Sequence, residues 1–365
     1  MYLKYFFLFT LLLKSLFAQD SLHIAGIFSH TGKAAKGNFY SIEALRITVN
    51  LINKTGGILG KQIILHELDN KSTALGSMQA ALKADELKVS AVIGSVWSSH
   101  SIAMAKILQD KKIPMISNFS TNPALSKIGN FIFRVCYVDI SQSKALAKFI
   151  STSLKAKTVI VLENISSNHS ISLNKEIQKS FKNFNINILD VLKYNKSTSN
   201  FKNIIAVIKE KKPDIVVLSE KSFKSALLIE QAYDMGLSKI FVGFDSWSKI
   251  MYEYSNKING NYFVTHWHKD NNNEISKKIL PQLTKIQGSG ALLTYDAVML
   301  LMDAIKRTES FDPLKIQKAL LLTKNFKGAT GNISFDINGD PVNKDKIIVK
   351  FVNNKVSYVE TIKSF

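Results

Sequence analysis

Short apolar runs alternate with helical patterns along most of the chain. Between residues 22 and 265, runs rich in β-branched residues are separated by longer segments whose apolar residues recur every three or four positions. In the segment 41–53, for example, Ile42, Leu45 and Val49 fall on one helical face. Such runs predict strands, and such segments predict amphipathic helices. The predicted strands are 23–28, 62–69, 91–94, 115–117, 131–135, 158–162, 186–194, 214–218, 240–243 and 262–265.

Alternation of strands and helices indicates βαβ units and mostly parallel sheets. Ten such strands are too many for one compact doubly wound sheet in a chain of this length. A break near Val138 and Asp139 divides them into two similar halves, each opening with a strand and a long helix. The last hundred residues differ, with helices predicted at 289–307 and 313–322 and short strands near 333–335, 347–351 and 356–360. The sequence therefore predicts an α/β fold of two lobes that the chain crosses more than once.

The first residues have the pattern of a secretory signal peptide. Lys4 gives a positive start, the segment 5–13 is apolar, and 15–18 ends in small residues, so cleavage is predicted after Ala18. Lys14 interrupts the apolar run, which makes a membrane-spanning helix a poor alternative. No later stretch approaches the roughly 18 apolar residues of a spanning helix. We therefore expect a soluble mature chain exported to the periplasm.

The charge of the chain is strongly positive, which raises nucleic acid as a partner. The formal net charge is +20 over 365 residues, and removing Lys4 and Lys14 with the signal leaves 20 − 2 = +18. The lysines are scattered over the predicted polar helix faces, however, and arginine occurs only at positions 46, 134 and 307. We interpret the charge as a solvated lysine-rich surface and expect no nucleic-acid partner.

Serines cluster after the predicted strand 91–94, where Ser95, Ser98, Ser99 and Ser101 open the next helix. One reading is simple capping of that helix by Ser98 or Ser99. The other is an anion site, because a helix start offers free N–H groups and partial positive charge. Ligands of such sheets bind beyond the carboxyl ends of the strands. The next strand also ends in hydroxyls, at Ser120 and Thr121, which favours a carboxylate site.

An acidic residue, Asp245, follows the predicted strand 240–243 in the second half of the chain. By itself it is typical of a helix cap. Placed opposite the serine loops, it would receive an ammonium group. A carboxylate site in one lobe and an ammonium site in the other describe a clamp for a zwitterion, and hence for an α-amino acid.

At these positions the sequence resembles the type I periplasmic binding proteins, in the Leu/Ile/Val (branched-chain amino acid) branch. The segment 52–60, INKTGGILG, is close to the family pattern IN-x-x-GGI-x-G. The other matching segments, in order, are 24–27, 31–35, Asp69, 92–95 with Ser98 and Ser99, 232–237 and 293–298. The resemblance covers nearly the whole mature chain.

The resemblance implies two Rossmann-like lobes with mostly parallel central sheets, joined by a three-stranded hinge. Lobe 1 would comprise 22–138 plus 266–340, and lobe 2 would comprise 139–265 plus 341–365. The crossovers are expected near 135–139, 265–268 and 341–346. The implied function is that of an extracytoplasmic, monomeric solute-binding protein of an ABC importer, which closes on its ligand and delivers it to a permease in the inner membrane.

The same resemblance implies roles for particular residues. Ser98, Thr121 and the backbone of Phe119 would hold the α-carboxylate and part of the ammonium, with Ser120 adjacent, and Asp245 would receive the ammonium. Two departures concern specificity. His169 stands where the family often has a tyrosine that covers the ligand, and Glu220 and Lys221 replace a more neutral, aromatic-bearing stretch, so that either could select a polar ligand. Candidate cleft walls, each also plausible as a core residue, are Trp97, Trp247 and Tyr295.

Other functions have less support in the sequence. No nucleophile elbow, phosphate-binding loop or dinucleotide motif is present, so we expect neither an enzyme nor a cofactor. Cys136 is interpreted as a buried strand residue, and as a lone cysteine it forms no internal disulfide. His266 and His268 suggest a metal, but no third ligand is evident. A ligand sensor feeding a separate receptor, or a binding protein for an amide, urea or an aromatic acid, stays open.

Overall fold

The computed structural model describes residues 21–271, 273–284, 286, 288–342 and 344–364. The predicted signal peptide, 1–18, lies outside the described residues. The chain forms two large sheets and one small sheet, with helices between and around them. The prediction of an α/β fold with mostly parallel sheets is confirmed.

The first large sheet has five parallel strands in the order β2-β1-β3-β4-β5. Its strands are β1 (Leu22–Phe28), β2 (Ile63–Asp69), β3 (Ala91–Ile93), β4 (Met115–Ser117) and β5 (Ile132–Arg134). Its helices are α1 (Ala35–Lys54), α2 (Ala74–Glu86) and α3 (Ser98–Asp110). Neighbouring residues of β3 pack on opposite faces, Val92 in one apolar cluster and Ile93 in another. A strand buried on both faces needs the continuous apolar run that made it visible in the sequence.

The second large sheet has seven strands in the order β15-β14-β10-β9-β8-β6-β7. The parallel strands are β6 (Thr158–Asn164), β7 (Asn187–Tyr194), β8 (Ile215–Leu218), β9 (Ile240–Gly243) and β10 (Tyr262–Thr265). The antiparallel edge consists of β14 (Lys346–Val352) and β15 (Lys355–Ile362). The associated helices are α4 (Asp139–Thr152), α5 (Asn168–Asn183), α6 (Lys202–Lys211) and α7 (Ser222–Asp234).

The remaining elements pack on the first sheet. They are α8 (Glu274–Ile279), α9 (Ser289–Thr308), α10 (Pro313–Leu321) and a small antiparallel sheet of β11 (Phe326–Gly328), β12 (Gly331–Phe335) and β13 (Pro341–Val342). Helix α9 packs against α1 and α10 and places Leu293, Val298 and Leu301 in the core of the first sheet. We call the first sheet with these elements lobe 1, and the second sheet with α4–α7 lobe 2.

Within the described residues the chain passes between the lobes three times, after β5, after β10 and after β13. One predicted boundary differs clearly from the structure. Helix α1 was predicted over 41–53 and begins at Ala35, because its first turn carries residues such as Lys36 and Gly37 that line a cleft instead of a core. An apolar periodicity cannot detect a turn that faces solvent.

Candidate functional site

The carboxyl ends of strands from both large sheets face a common cleft of about 2700 Å³. The residues that line it follow β1, β3 and β4 in lobe 1, and β6, β8, β9 and β10 in lobe 2. Seven of the nine predicted site residues lie on its walls: Trp97, Ser98, Phe119, Thr121, His169, Glu220 and Asp245. Ser120 and Tyr295 do not line it.

The serines that follow β3 and β4 divide into two groups. Ser95, Ser101 and Ser120 are fully buried and hydrogen-bond to one another. The Ser101 and Ser120 hydroxyl oxygens are 2.7 Å apart, the Ser95 N–H donates to Ser101 Oγ at 3.0 Å, and Ser120 Oγ donates to the Ser95 carbonyl at 2.9 Å. These contacts join the ends of β3 and β4. Ser120 is thus turned away from the cleft because it serves this buried network.

Ser98 belongs to the second group and faces the cleft at the first turn of α3. Within the described residues, no side chain caps this helix, so neither Ser98 nor Ser99 has the capping role that was one alternative. Among the contacts of the described residues, the Ser98 hydroxyl accepts one long hydrogen bond, 3.4 Å, from the N–H of Asn122. The free N–H groups of the helix start and this hydroxyl form a site suited to a carboxylate.

A glycine and a buried arginine hold these loops in place. Gly94 has φ +128°, and a Cβ there would lie 2.3 Å from the carbonyl oxygen of Ile27, so only glycine fits. The completely buried Arg134 donates to the carbonyls of Ser120 at 2.7 Å and Asn122 at 3.0 Å. The arginine therefore fixes the backbone on both sides of Thr121.

Asp245 lies on the opposite wall, in lobe 2, and is paired with His266. The His266 Nε2 atom is 3.0 Å from Asp245 Oδ2, and both side chains are almost completely buried. The imidazole stacks on Tyr137 at 3.7 Å between ring centroids and meets the edge of Phe119 at 4.8 Å. Burial lowers the pKa of His266, and the adjacent Asp245 carboxylate opposes this shift.

Sequence reasoning missed a second acid behind this wall, Asp139. It is completely buried, its N–H donates to the Thr121 carbonyl at 2.9 Å, and its carboxylate accepts from Gln142 at 2.8 Å and Ser172 at 3.2 Å. Burial raises its pKa, while the charge of His169 opposes the shift. Asp139 therefore connects the Thr121 loop of lobe 1 with α4 and α5 of lobe 2. Its position directly after the first predicted crossover is the sequence feature that could have identified it.

Contacts between the lobes occur at the mouth of the cleft. The Lys221 ammonium lies 3.2 Å from the ring centroid of Trp97, and Lys36 forms an ion pair with Glu253. Burial lowers the pKa of Lys221 to about 8. Glu220 is turned to its own lobe, where it accepts hydrogen bonds from the Asn164 amide and from the Lys221 N–H.

A model of the family described as periplasmic binding protein matches residues 21–355. The chain belongs to the periplasmic binding protein family. This binding protein is 26% identical over 335 residues to a leucine-, isoleucine-, valine-, threonine- and alanine-binding protein of Pseudomonas aeruginosa, a match that covers 90% of this chain and 89% of the relative. It is also 26% identical to a leucine-specific-binding protein of Salmonella typhimurium, over 88% of each chain.

Solved structures of two such proteins superpose closely on the binding protein. The leucine binding protein LivK of Thermotoga maritima gives a TM-score of 0.86 at 29% identity, covering 93% of this chain and 98% of its own. LivJ of Streptococcus pneumoniae in complex with isoleucine gives 0.87 at 25% identity, covering 94% and 100%. The family consists of solute-binding proteins that act outside the cytoplasm, so the prediction that the chain is not an enzyme is confirmed.

Two aromatic residues considered as cleft walls belong to the packing of the binding protein. Tyr295 packs beside Trp267 and Ile279 in an apolar cluster between α1 and α9. Trp247 is among the residues that line the cleft but is almost completely buried, and its indole N–H donates to Ser225 Oγ at 2.9 Å inside lobe 2. Helical spacing and aromatic character alone do not distinguish such residues from a ligand wall.

The two histidines considered for a metal make separate contacts. His266 pairs with Asp245, whereas the His268 Nε2 atom bonds the Val356 carbonyl at 2.9 Å. In the described part of the chain, no group of three His, Cys, Asp or Glu side chains is placed to hold a metal ion. The same residues include no helix with the length and apolarity needed to cross a bilayer.

Proposed function

We propose that this binding protein carries a zwitterionic α-amino acid in the cleft between its lobes and delivers it to an ABC importer. One observation carries the proposal: Ser98 and Thr121 of lobe 1 and Asp245 of lobe 2 line the same cleft. Neutral donors and a helix start suit a carboxylate, and the buried Asp245 suits an ammonium. The relatives named for leucine, isoleucine and valine support this ligand class.

The proposed contacts are divided between the lobes. Ser98, Thr121 and the backbone at Phe119 hold the carboxylate, Asp245 receives the ammonium, and Trp97, His169 and Glu220 surround the side chain. Because a ligand held in this way contacts both lobes, it shifts the population from open to closed. The lobes are 22–138 plus 266–340 and 139–265 plus 341–365, and they rotate about the three connections between them.

The cellular setting is proposed from the family and from the first residues. The chain is exported by its signal peptide, acts in the periplasm as a monomer, and presents its closed form to a permease in the inner membrane. Relatives that match 90% or more of this chain and are named as binding proteins of this kind support the assignment.

A thermal-shift panel tests the ligand class. The mature protein is heated with each of the twenty common amino acids, and with urea, small amides and aromatic acids. A cognate ligand at a hundred times its dissociation constant adds about 2.7 kcal/mol of apparent stability, which is a clear shift in melting temperature. No shift in melting temperature with any amino acid would contradict the proposed ligand class. A shift with urea or an aromatic acid alone would assign the protein to that ligand class instead.

A further inference from the structure

An unusual contact between the lobes crosses the cleft. Lys221 follows β8 in lobe 2, and its ammonium lies 3.2 Å from the ring centroid of Trp97 in lobe 1. The Trp97 ring in turn lies beside His100, with 5.3 Å between ring centroids. All three residues line the cleft. The attraction between an ammonium group and the face of an aromatic ring is weaker than the attraction between an ammonium group and a carboxylate.

A second cation, Lys33, is exposed in the same cleft. It follows β1 in lobe 1, lines the cleft, and its charge lowers the pKa of both Lys221 and His100. The larger cause of both shifts is burial. The two ammonium groups, one from each lobe, therefore lie close enough for the charge of Lys33 to act on Lys221.

The neighbouring carboxylates are bound elsewhere. Glu220 faces Asn164, Glu253 pairs with Lys36, and Asp245 pairs with His266. Glu220 favours the charged form of Lys221 from the adjacent position. Among the described residues, however, neither Lys33 nor Lys221 forms an ion pair. Lys33 is exposed, whereas Lys221 is half-buried, and a half-buried charge without an ion-pair partner is unfavourable.

We infer that Lys33 and Lys221 bind a second anionic group, so that the ligand is an acidic α-amino acid. The inference rests on the proposed function, because Ser98, next to Trp97, and Thr121 then hold the α-carboxylate. Lys221 leaves the ring face to pair with the side-chain carboxylate, and the Trp97 ring packs on the methylene groups of the ligand. Because the cations come from both lobes, the second anion also favours the closed form.

The test compares glutamate with glutamine, which have nearly the same shape but differ in side-chain charge. Isothermal titration of the mature protein is expected to give glutamate an affinity about 10- to 100-fold higher than glutamine, the factor that one charge-assisted hydrogen bond supplies. Lys221→Met is expected to remove most of this preference while leaving glutamine binding nearly unchanged. Lys249→Met, which removes another lysine of the cleft wall, is the matched control and should keep the preference.

The outcomes separate this inference from the proposed function. Binding of glutamine or leucine as tight as that of glutamate would overturn the second anion site and leave the amino-acid site standing. Equal losses for glutamate and glutamine in Lys221→Met would also overturn it, because Lys221 would then serve the α-carboxylate. Binding of glutarate as tight as that of glutamate would support the anion site and contradict the ammonium site at Asp245. Melting temperatures of the variants verify that each one folds.

Discussion

Replacing Arg134 with methionine tests how the carboxylate loop is held. The guanidinium is completely buried, donates to the carbonyls of Ser120 and Asn122, and lies 2.6 Å from Asp340. Methionine fills much of the same space but removes the guanidinium partner of these two carbonyls and of the Asp340 carboxylate. Breaking a buried ion pair in this way costs about 3–5 kcal/mol. We expect Arg134→Met to lower the free energy of unfolding by that amount.

The matched control is Arg46→Met, in the same lobe. Arg46 also contacts carboxylates, those of Glu43 and Glu67, but its side chain is 46% exposed. Exposed ion pairs of this kind contribute about 0–1 kcal/mol. Urea-induced unfolding, followed by circular dichroism, measures the free energy of unfolding of both variants. A loss for Arg134→Met no larger than that for Arg46→Met would refute the role given to the buried arginine.

Three further predictions concern other parts of the fold. Gly94→Ala should cost about 1–3 kcal/mol more than Gly236→Ala, since both glycines have positive φ but a Cβ only at Gly94 meets backbone; equal losses in urea unfolding would contradict this. Cys136, whose pKa burial raises to about 12, should react with a thiol reagent at pH 8 only after unfolding, and rapid reaction of the native protein would contradict its burial. Burial lowers the pKa of His100 from 6.5 to about 4, so the unfolded chain takes up its proton first and stability should fall as the pH falls from 6.5 towards 4. His100→Gln should flatten this slope in unfolding measurements, and an unchanged slope would show that other groups cause it.

The elements that the sequence predicts best are those that contribute most of their residues to the core. The prediction 262–265 equals β10, and 289–307 differs from α9 by one residue, because both segments are apolar wherever the core requires it. Strands β11 and β13 were not predicted. They have three and two residues, and their pairing with β12 depends on contacts that no local pattern reveals.

The site was predictable as a region and less so residue by residue. The rule that ligands bind beyond the carboxyl ends of parallel strands placed Ser98, Thr121 and Asp245 on one cleft. It did not show that the Ser120 hydroxyl turns inward, because side-chain direction in a loop has no fixed period. The pairing of His266 with Asp245 follows from the adjacency of β9 and β10, which only the strand order reveals.

The claim on which the account depends is that Asp245 receives the ammonium of an amino acid whose carboxylate lies at Ser98 and Thr121. Isothermal titration of Asp245→Asn tests it, since asparagine still accepts the hydrogen bond of His266. The control is Asp270→Asn, which changes another aspartate of the cleft. The account predicts that Asp245→Asn weakens the best amino acid of the panel about 10- to 100-fold and hardly changes its analogue without the amino group. Equal losses for both ligands would contradict it.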